Sequence, residues 1–256
     1  MGRFLLRPRW LAGLALVVLV AVSFVRLGFW QLDRLRERHA YEALVAQRLT
    51  APPSPLTELL RSTAGDDALG FRRVIAEGTF DPLHEVILYG RTQGEQTGNH
   101  VLTPLVLEDG TAIAVDRGWV PLGDDAPPLR DAAPPAGWVR VTGVLFPSEV
   151  SPADTVAPPS PVTTFARVDL GALSEQVPYE LAPAYVLLGS QDPPAQVLPR
   201  IAPLPNPAAS PPHLSYAIQW FSFATIAVVG FVILIRREHR RSQGAEGPVG
   251  AATGPG

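Results

Sequence analysis

The sequence predicts a membrane protein in which two transmembrane helices flank an all-β extracytoplasmic domain. This domain is expected to be an antiparallel sandwich or a partly closed barrel with at most one or two short helices. Three observations predict this fold class. A long uncharged apolar run lies near each end of the 256-residue chain, and seven short strand-like segments lie between the runs. The intervening stretch, about 180 residues, leaves room for a single core of ordinary size.

The first apolar run follows a basic start that carries Arg3, Arg7 and Arg9. As a helix, residues 10–30 would advance about 30 Å, which matches the hydrocarbon thickness of a bilayer. We therefore assign 1–9 to a cytoplasmic N-terminus and 10–30 to the first transmembrane helix. A cleaved signal peptide is the alternative, because it also has a basic start and a short apolar core.

Residues 31–55 are predicted to form a juxtamembrane helix and a loop. The charged stretch up to Leu49 is typical of a helix, and Pro52, Pro53 and Pro55 then end it. The β domain follows at 56–192. Its segments are rich in Val, Ile, Thr and aromatic residues, and the predicted strands are 71–80, 85–89, 100–107, 111–119, 138–146, 163–168 and 185–188. One short helix is predicted near 170–176.

Beyond the domain, 193–215 is so rich in proline that it predicts an extended strap, with a featureless linker as the alternative. The second transmembrane helix is assigned to 216–235. The remaining 236–256 forms a basic cytoplasmic end and a disordered tail. The basic residues after this span are Arg236, Arg237, Arg240 and Arg241. By the positive-inside rule they place the C-terminus in the cytoplasm. Two spans then place the N-terminus in the cytoplasm as well and the central domain outside it.

Composition excludes several classes of function. The chain has no cysteine, and its only methionine is Met1, so disulfides, iron–sulfur clusters, thiolate zinc sites and soft copper sites are excluded. The five histidines have no metal-ligand spacing, and no hydrolase, kinase or dinucleotide-binding motif is present. Residues 27–212 are acidic, which argues against nucleic-acid binding. The sequence therefore predicts a non-enzymatic membrane protein without copper or zinc.

One candidate cofactor site lies at the start of the second span. His213, Tyr216 and Trp220 share one helical face at the outer membrane surface. Ala217 and Ala224 lie near that face and are expected to leave a recess for something flat, such as a haem with His213 as axial ligand. The alternative is that the two aromatic residues are interfacial anchors and that His213 caps the helix.

Two further groups are candidates for binding a partner. Trp30 and Arg34 lie four residues apart on the first helix, which predicts a cation–π pair. Arg117, Gly118 and Trp119 end a predicted strand, and an Arg beside a Trp is common at protein interfaces. The alternative for the second group is a structural arginine paired with Asp116.

Taken in order along the chain, these features resemble the SURF1 family, membrane proteins that assist the assembly of cytochrome c oxidase. The segments that carry the resemblance are 27–34 (LGFWQLDR), 71–74 (FRRV) with Gly78 and Phe80, then Gly98, Val101 and 103–105 (TPL), 115–121 (VDRGWVP) and 213–221 (HLSYAIQWF). They span nearly the whole chain.

The resemblance implies that the protein lies beside the catalytic subunit of the oxidase and helps haem a to reach it, with His213 as the haem-associated residue. It implies a bacterial plasma membrane as the location, and it makes haem a synthase a further candidate partner. Because a chain without Cys or internal Met lacks the usual copper ligands, haem a is the cofactor left. A cofactor-free scaffold that holds an oxidase intermediate is the competing hypothesis. An unrelated membrane-anchored binding or hydrolytic domain is a third.

Overall fold

The structure is a computed structural model that describes residues 8–62, 69–123, 127–151, 161–195, 198–204 and 213–244. Along the chain the elements are α1 (Pro8–Thr50), β1 (Ser54–Pro55), α2 (Leu56–Ser62), β2 (Arg73–Phe80), a 3₁₀ helix (Pro82–His84), β3 (Val86–Gln93), β4 (Gln96–Leu107), β5 (Ala112–Pro121), β6 (Trp138–Pro147), β7 (Thr164–Phe165), α3 (Leu170–Ser174), β8 (Leu181–Asp192) and α4 (His213–Gly244). Two compact units result. The helical unit consists of 1–43 and 207–256, and the β unit of 44–206.

The described chain contains two helices that are long and apolar enough to cross a membrane, within Pro8–Thr50 and Leu214–Arg241. They indicate a membrane protein. At 1.5 Å per residue the 43 residues of α1 extend about 65 Å, roughly twice the thickness of a hydrocarbon core. The helix therefore continues well beyond one span and ends just before Pro52.

Small residues bring α1 and α4 together in an antiparallel pair. Gly13 faces the ring of Phe231, and a Cβ at Gly28 would lie 2.7 Å from the ring of Phe221. Between these two points the rings of Phe24 and Trp220 have centroids 5.5 Å apart. Because lipid offers no hydrophobic force between helices, close packing of this kind holds a membrane pair together.

The β unit is built on a five-stranded barrel in the order β2-β6-β8-β5-β4, with β4 returning to pair with β2. The closing contact is short. It pairs Gly78 to Phe80 on β2 with Leu105 to Leu107 on β4. A Cβ at Gly78 would collide with the Val106 carbonyl oxygen, so glycine permits this close approach. Strands β1, β3 and β7 extend the sheet outside the barrel.

The predicted fold class is confirmed, as a partly closed barrel with two flanking apolar helices. Each predicted strand has a counterpart, and α3 lies where one short helix was expected. The purely antiparallel pairing was wrong, because the sheet is mixed. Within the barrel β5 and β8 pair in parallel, and the short outer strands β1 and β7 pair in parallel with β2 and β3. The long connection from β5 through β6 and α3 allows β8 to return in the same direction.

Both faces of the central strands are buried. Inside the barrel, Ile113 and Val115 of β5 belong to one apolar cluster, whereas Ala114 between them faces a second cluster outside it. The outer cluster includes Leu170 and Leu173 of α3 and the partly buried Leu49 near the end of α1. Two-sided burial explains why the first four residues of β5, 112–115, are all apolar instead of alternating with polar residues.

Several predictions fall on residues outside the described ranges. These are residues 1–7 of the predicted cytoplasmic N-terminus, residues 196–197 and 205–212 of the proline-rich strap, and the predicted disordered tail at 245–256. The assignment of the chain to cytoplasmic, membrane and extracytoplasmic segments stays a prediction.

Candidate functional site

The predicted cofactor face lies at the beginning of α4. His213 is the first helical residue, but its side chain is outside the described part of the structure. Tyr216 is 46% exposed. Trp220 packs within the helical unit, with its ring centroid 5.5 Å from Phe24 and 6.0 Å from Phe223. Of the two described aromatic residues, Tyr216 is therefore the one whose side chain is largely available to a ligand.

The open recess predicted beside Ala217 and Ala224 was wrong. Ala217 is 1% exposed and Ala224 is buried as well. They lie four residues before and three residues after Phe221, on the helix face that packs against Gly28 of α1. Small residues on α4 thus serve helix pairing, so a flat ligand would have to approach from the side of Tyr216.

Trp30 and Arg34 form the predicted cation–π pair, which is confirmed. The Arg34 Cζ lies 5.8 Å from the centroid of the Trp30 ring. Arg34 Nη1 also pairs with Glu37 Oε2 at 2.8 Å, and Trp30 is 50% exposed. The pair is an aromatic and cationic feature on the surface of the helical unit, and its role in binding a partner stays a prediction.

The residues that end β5 point in different directions. Asp116 Oδ2 pairs with Nδ1 of His100 on the neighbouring strand at 2.8 Å, and Asp116 Oδ1 accepts a hydrogen bond from the Gly118 amide at 3.0 Å. Arg117 points to the opposite face, as alternate residues of a strand do. The Asp116–Arg117 pair, which was the alternative for this group, is therefore not formed within the described chain.

Arg117 is 2% exposed and lies at one end of the barrel interior. Its Nη2 donates a hydrogen bond to the Ala132 carbonyl, and its Cζ lies 5.6 Å from the centroid of the Phe80 ring. Nε is buried without a hydrogen-bond partner among the described residues. Burial lowers the pKa of Arg117 to about 10, against the opposing effect of the nearby Glu85 carboxylate.

Gly118 and Trp119 hold a later segment of the chain, residues 198–204. Gly118 has a φ of 120°, and a Cβ there would collide with the Arg200 carbonyl oxygen. Trp119 and Arg200 exchange backbone hydrogen bonds of 2.7 and 2.8 Å. The Arg200 Cζ lies 5.2 Å from the centroid of the Trp119 ring. Trp119 is consequently 2% exposed, and its role in binding a partner, like that of Arg117 and Gly118, stays a prediction.

A pocket of about 220 Å³ opens beside this motif. Arg117 lines it together with Leu188, Pro199 and Ile201. Sequence reasoning missed the pocket because its walls come from distant parts of the chain. The sequence did indicate which way Arg117 points. Arg117 lies two and four residues after Val115 and Ile113, so it is on the same face of the strand, which is the face towards the barrel interior.

Glu85 is the other functional candidate that the sequence did not indicate. It is buried, and its two carboxylate oxygens accept hydrogen bonds from Thr103 Oγ1 at 2.8 Å and from the Leu129 amide at 2.9 Å. These donors come from β4 and from a distant loop. No spacing pattern connects such residues before the fold is known.

Comparison with known proteins bears on the whole chain. The family model described as the SURF1 family matches residues 18–225, which include parts of both long helices and the complete β unit. The chain belongs to the SURF1 family. The match also covers Trp30, Arg117 and Trp119, together with the start of α4.

Individual SURF1 relatives extend over nearly the same length. A SURF1-like protein of Mycobacterium tuberculosis is 32% identical over 259 residues, which cover 96% of this chain and 91% of the relative. A SURF1-like protein of Rickettsia conorii is 28% identical over 87% of this chain and 90% of its own. In Monosiga brevicollis a SURF1-like protein is 26% identical, with 89% coverage of each chain. The similarity is therefore not confined to one unit.

Proposed function

We propose that this SURF1 family member is a membrane-bound assembly factor for cytochrome c oxidase that assists delivery of haem a to the catalytic subunit. The observation that carries the proposal is the family match across residues 18–225, in a chain with two helices suited to a bilayer. Haem a is cargo in this proposal and does not remain in the protein.

The start of α4 supports a role for His213 in holding the cargo. His213 supplies an imidazole, the commonest protein ligand of haem iron, and the exposed Tyr216 lies one turn later. An aromatic side chain beside the imidazole suits a flat, apolar ring. One histidine gives one axial ligand, so the second position stays open to the recipient oxidase, which suits transfer.

The cofactor-free scaffold is the second candidate function, and the burial of Ala217 and Ala224 favours it. Because these small residues are used for helix pairing, α4 offers no recess on that face. The exposed Trp30–Arg34 pair would then supply a contact with the oxidase subunit, since aromatic and arginine side chains dominate binding energy at interfaces.

Haem content distinguishes the two functions. The full chain is purified in detergent from cells that make haem a, and its absorption spectrum is compared with those of His213→Ala and of His39→Ala. His39 is an exposed histidine on α1, so it is a matched control. Delivery predicts bound haem in the wild type and in His39→Ala, with a loss of at least tenfold in His213→Ala. Equal haem in all three would exclude His213, and no haem in any would favour the scaffold.

We further propose a bacterial plasma membrane location with both termini in the cytoplasm, the β unit outside, and haem a synthase as a second partner. The four arginines at the end of α4 support this orientation.

Deletion of the gene should lower the activity of oxidases that contain haem a and spare quinol oxidases that lack it. Normal activity of the former would contradict the assembly role.

A further inference from the structure

The pocket beside Arg117 has the form of a small-molecule site. It is about 220 Å³ in volume and lies wholly within the β unit. Its walls are mainly apolar and include Pro135, Leu188, Pro199 and Ile201, whereas Ser190 and Gln191 supply polar groups. A mostly apolar concavity with one charged group is the usual composition of a ligand pocket.

The guanidinium of Arg117 makes few hydrogen bonds within the described part of the protein. An arginine has five N–H donors, yet the only hydrogen bond that Arg117 makes within the described chain is from Nη2 to the Ala132 carbonyl. The Phe80 ring covers one face of the guanidinium but accepts no conventional hydrogen bond. Burying a charged group with most of its donors unmatched is costly, so such a group is a good anchor for an anion.

The carboxylate that acts electrostatically on Arg117, that of Glu85, does not fill this role. Glu85 influences Arg117 electrostatically, but both of its oxygens are already engaged, by Thr103 and by the Leu129 amide. No ion pair joins Glu85 to Arg117 among the described residues. The two terminal nitrogens of the guanidinium, with Nη2 already giving one hydrogen bond to Ala132, are therefore left for an acceptor that enters through the pocket.

We propose that this pocket binds a single carboxylate group carried on an aliphatic body, with Arg117 as its anchor. A planar carboxylate matches the guanidinium fork in two parallel hydrogen bonds, and the apolar walls accommodate the attached chain. Glu85 disfavours a doubly charged phosphate at the same position, because a single cation cannot balance three negative charges. The volume is below the roughly 300 Å³ of drug-sized sites, so the ligand is a short acid or the acid end of a longer molecule.

Calorimetric titration of the detergent-solubilised full chain tests this site. The probes are hexanoate, its neutral analogue hexanamide, and inorganic phosphate, each corrected for its heat of dilution into the same detergent. We expect hexanoate to bind at least tenfold more tightly than either of the others. Absence of hexanoate binding, equal binding of hexanamide, or phosphate binding as tight as that of hexanoate would overturn the proposal.

Two matched substitutions within residues 198–204 test whether hexanoate binds in this pocket. Ile201 lines the pocket and Leu204 does not, although both are 49% exposed. Ile201→Asp adds a repelling carboxylate at the rim and should weaken hexanoate binding at least tenfold, whereas Leu204→Asp should leave it unchanged. The Ile201 carbonyl, which accepts a hydrogen bond from Gln93, is retained in the variant. Equal effects of the two substitutions would exclude this pocket as the site.

Arg117→Lys tests the anchor itself. Lysine keeps the charge but loses the fork, so hexanoate should bind several-fold more weakly. If this buried substitution prevents folding, the comparison of Ile201→Asp with Leu204→Asp still decides the question. Unchanged binding in a folded Arg117→Lys variant would exclude two-point recognition by the guanidinium.

Discussion

Asp116, Arg117 and Gly118 are consecutive residues, yet each contacts a different part of the β unit. Asp116 bonds to His100 on the neighbouring strand, Arg117 lies in the barrel interior, and Gly118 admits the Arg200 backbone. The sequence indicated that this motif was important, and the alternation of side chains along a strand could have placed Arg117 on the face towards the barrel interior. The sequence could not have predicted that Glu85 and residues 198–204 lie near this motif, because their position beside it depends on how the barrel closes.

Gly118→Ala should destabilise the β unit. A φ of 120° strains any residue with a Cβ by about 1–2 kcal/mol, and the collision with the Arg200 carbonyl adds an overpacking cost of about 1–3 kcal/mol. The measurement is chemical unfolding of the full chain in detergent. Gly90→Ala is the control, since Gly90 also has a positive φ but a Cβ added there would meet no atom within 4 Å. Equal losses in the two variants would mean that the collision is relieved without cost.

Asp81 is expected to make folding stability sensitive to acid. Burial alone would raise its pKa, but hydrogen bonds from His84, Tyr179 and the Leu83 amide outweigh burial and hold the pKa below the usual 3.8. A carboxyl group whose pKa is depressed by folding stabilises the fold above its unfolded pKa, and this contribution is lost as the pH falls through its folded value.

Asp81→Asn should therefore flatten the fall in stability below about pH 4. The free energy of unfolding is measured from pH 2 to pH 6 for the wild type, for Asp81→Asn and for Asp131→Asn, which alters an exposed aspartate of the same unit. The control should keep the wild-type profile. A wild-type profile in Asp81→Asn would show that the Asp81 hydrogen bonds do not govern the acid limb.

At the level of elements, the positions of helices and strands followed from the sequence far better than their pairing. The predicted strand 111–119 corresponds to β5 at Ala112–Pro121, and the helix near 170–176 corresponds to α3. The parallel pairing of β5 with β8 was not predictable, because local periodicity contains no information on which distant strand lies alongside. The pairing face of α4 was misread for the same reason, since its partner α1 is nearly 200 residues away.

Gly28→Val should loosen the pairing of α1 with α4. A Cβ at Gly28 lies too close to the Phe221 ring, and overpacking of this kind costs about 1–3 kcal/mol. Thermal unfolding in detergent, followed by tryptophan fluorescence, should show a Tm lower by several degrees. Gly230→Val makes the same substitution on α4 where no atom lies within 4 Å, and its Tm should stay near that of the wild type. A similar decrease in both would assign the effect to valine itself.

At the level of the whole molecule, the distribution of charge predicts an orientation. Fusion of alkaline phosphatase after Gly123, in a loop of the β unit, should give active enzyme in living bacteria, because phosphatase folds only outside the cytoplasm. Fusion after Gly244 at the end of α4 should be inactive, as the preceding arginines stay inside. An inactive fusion at Gly123 would contradict the proposed topology, because it would show that the β unit lies in the cytoplasm.

Strand β4 pairs with three others, namely β3, β5 and β2. Strand β2 also pairs with three, but one of its partners is the two-residue β1. To release the amides of β4, the barrel has to open on more than one side at once. Deuterium should therefore enter β4 last, at a rate set by global unfolding, whereas it should enter the short outer strands β1 and β7 through local fraying. Hydrogen exchange would thus mark β4 as the cooperative centre of the β unit.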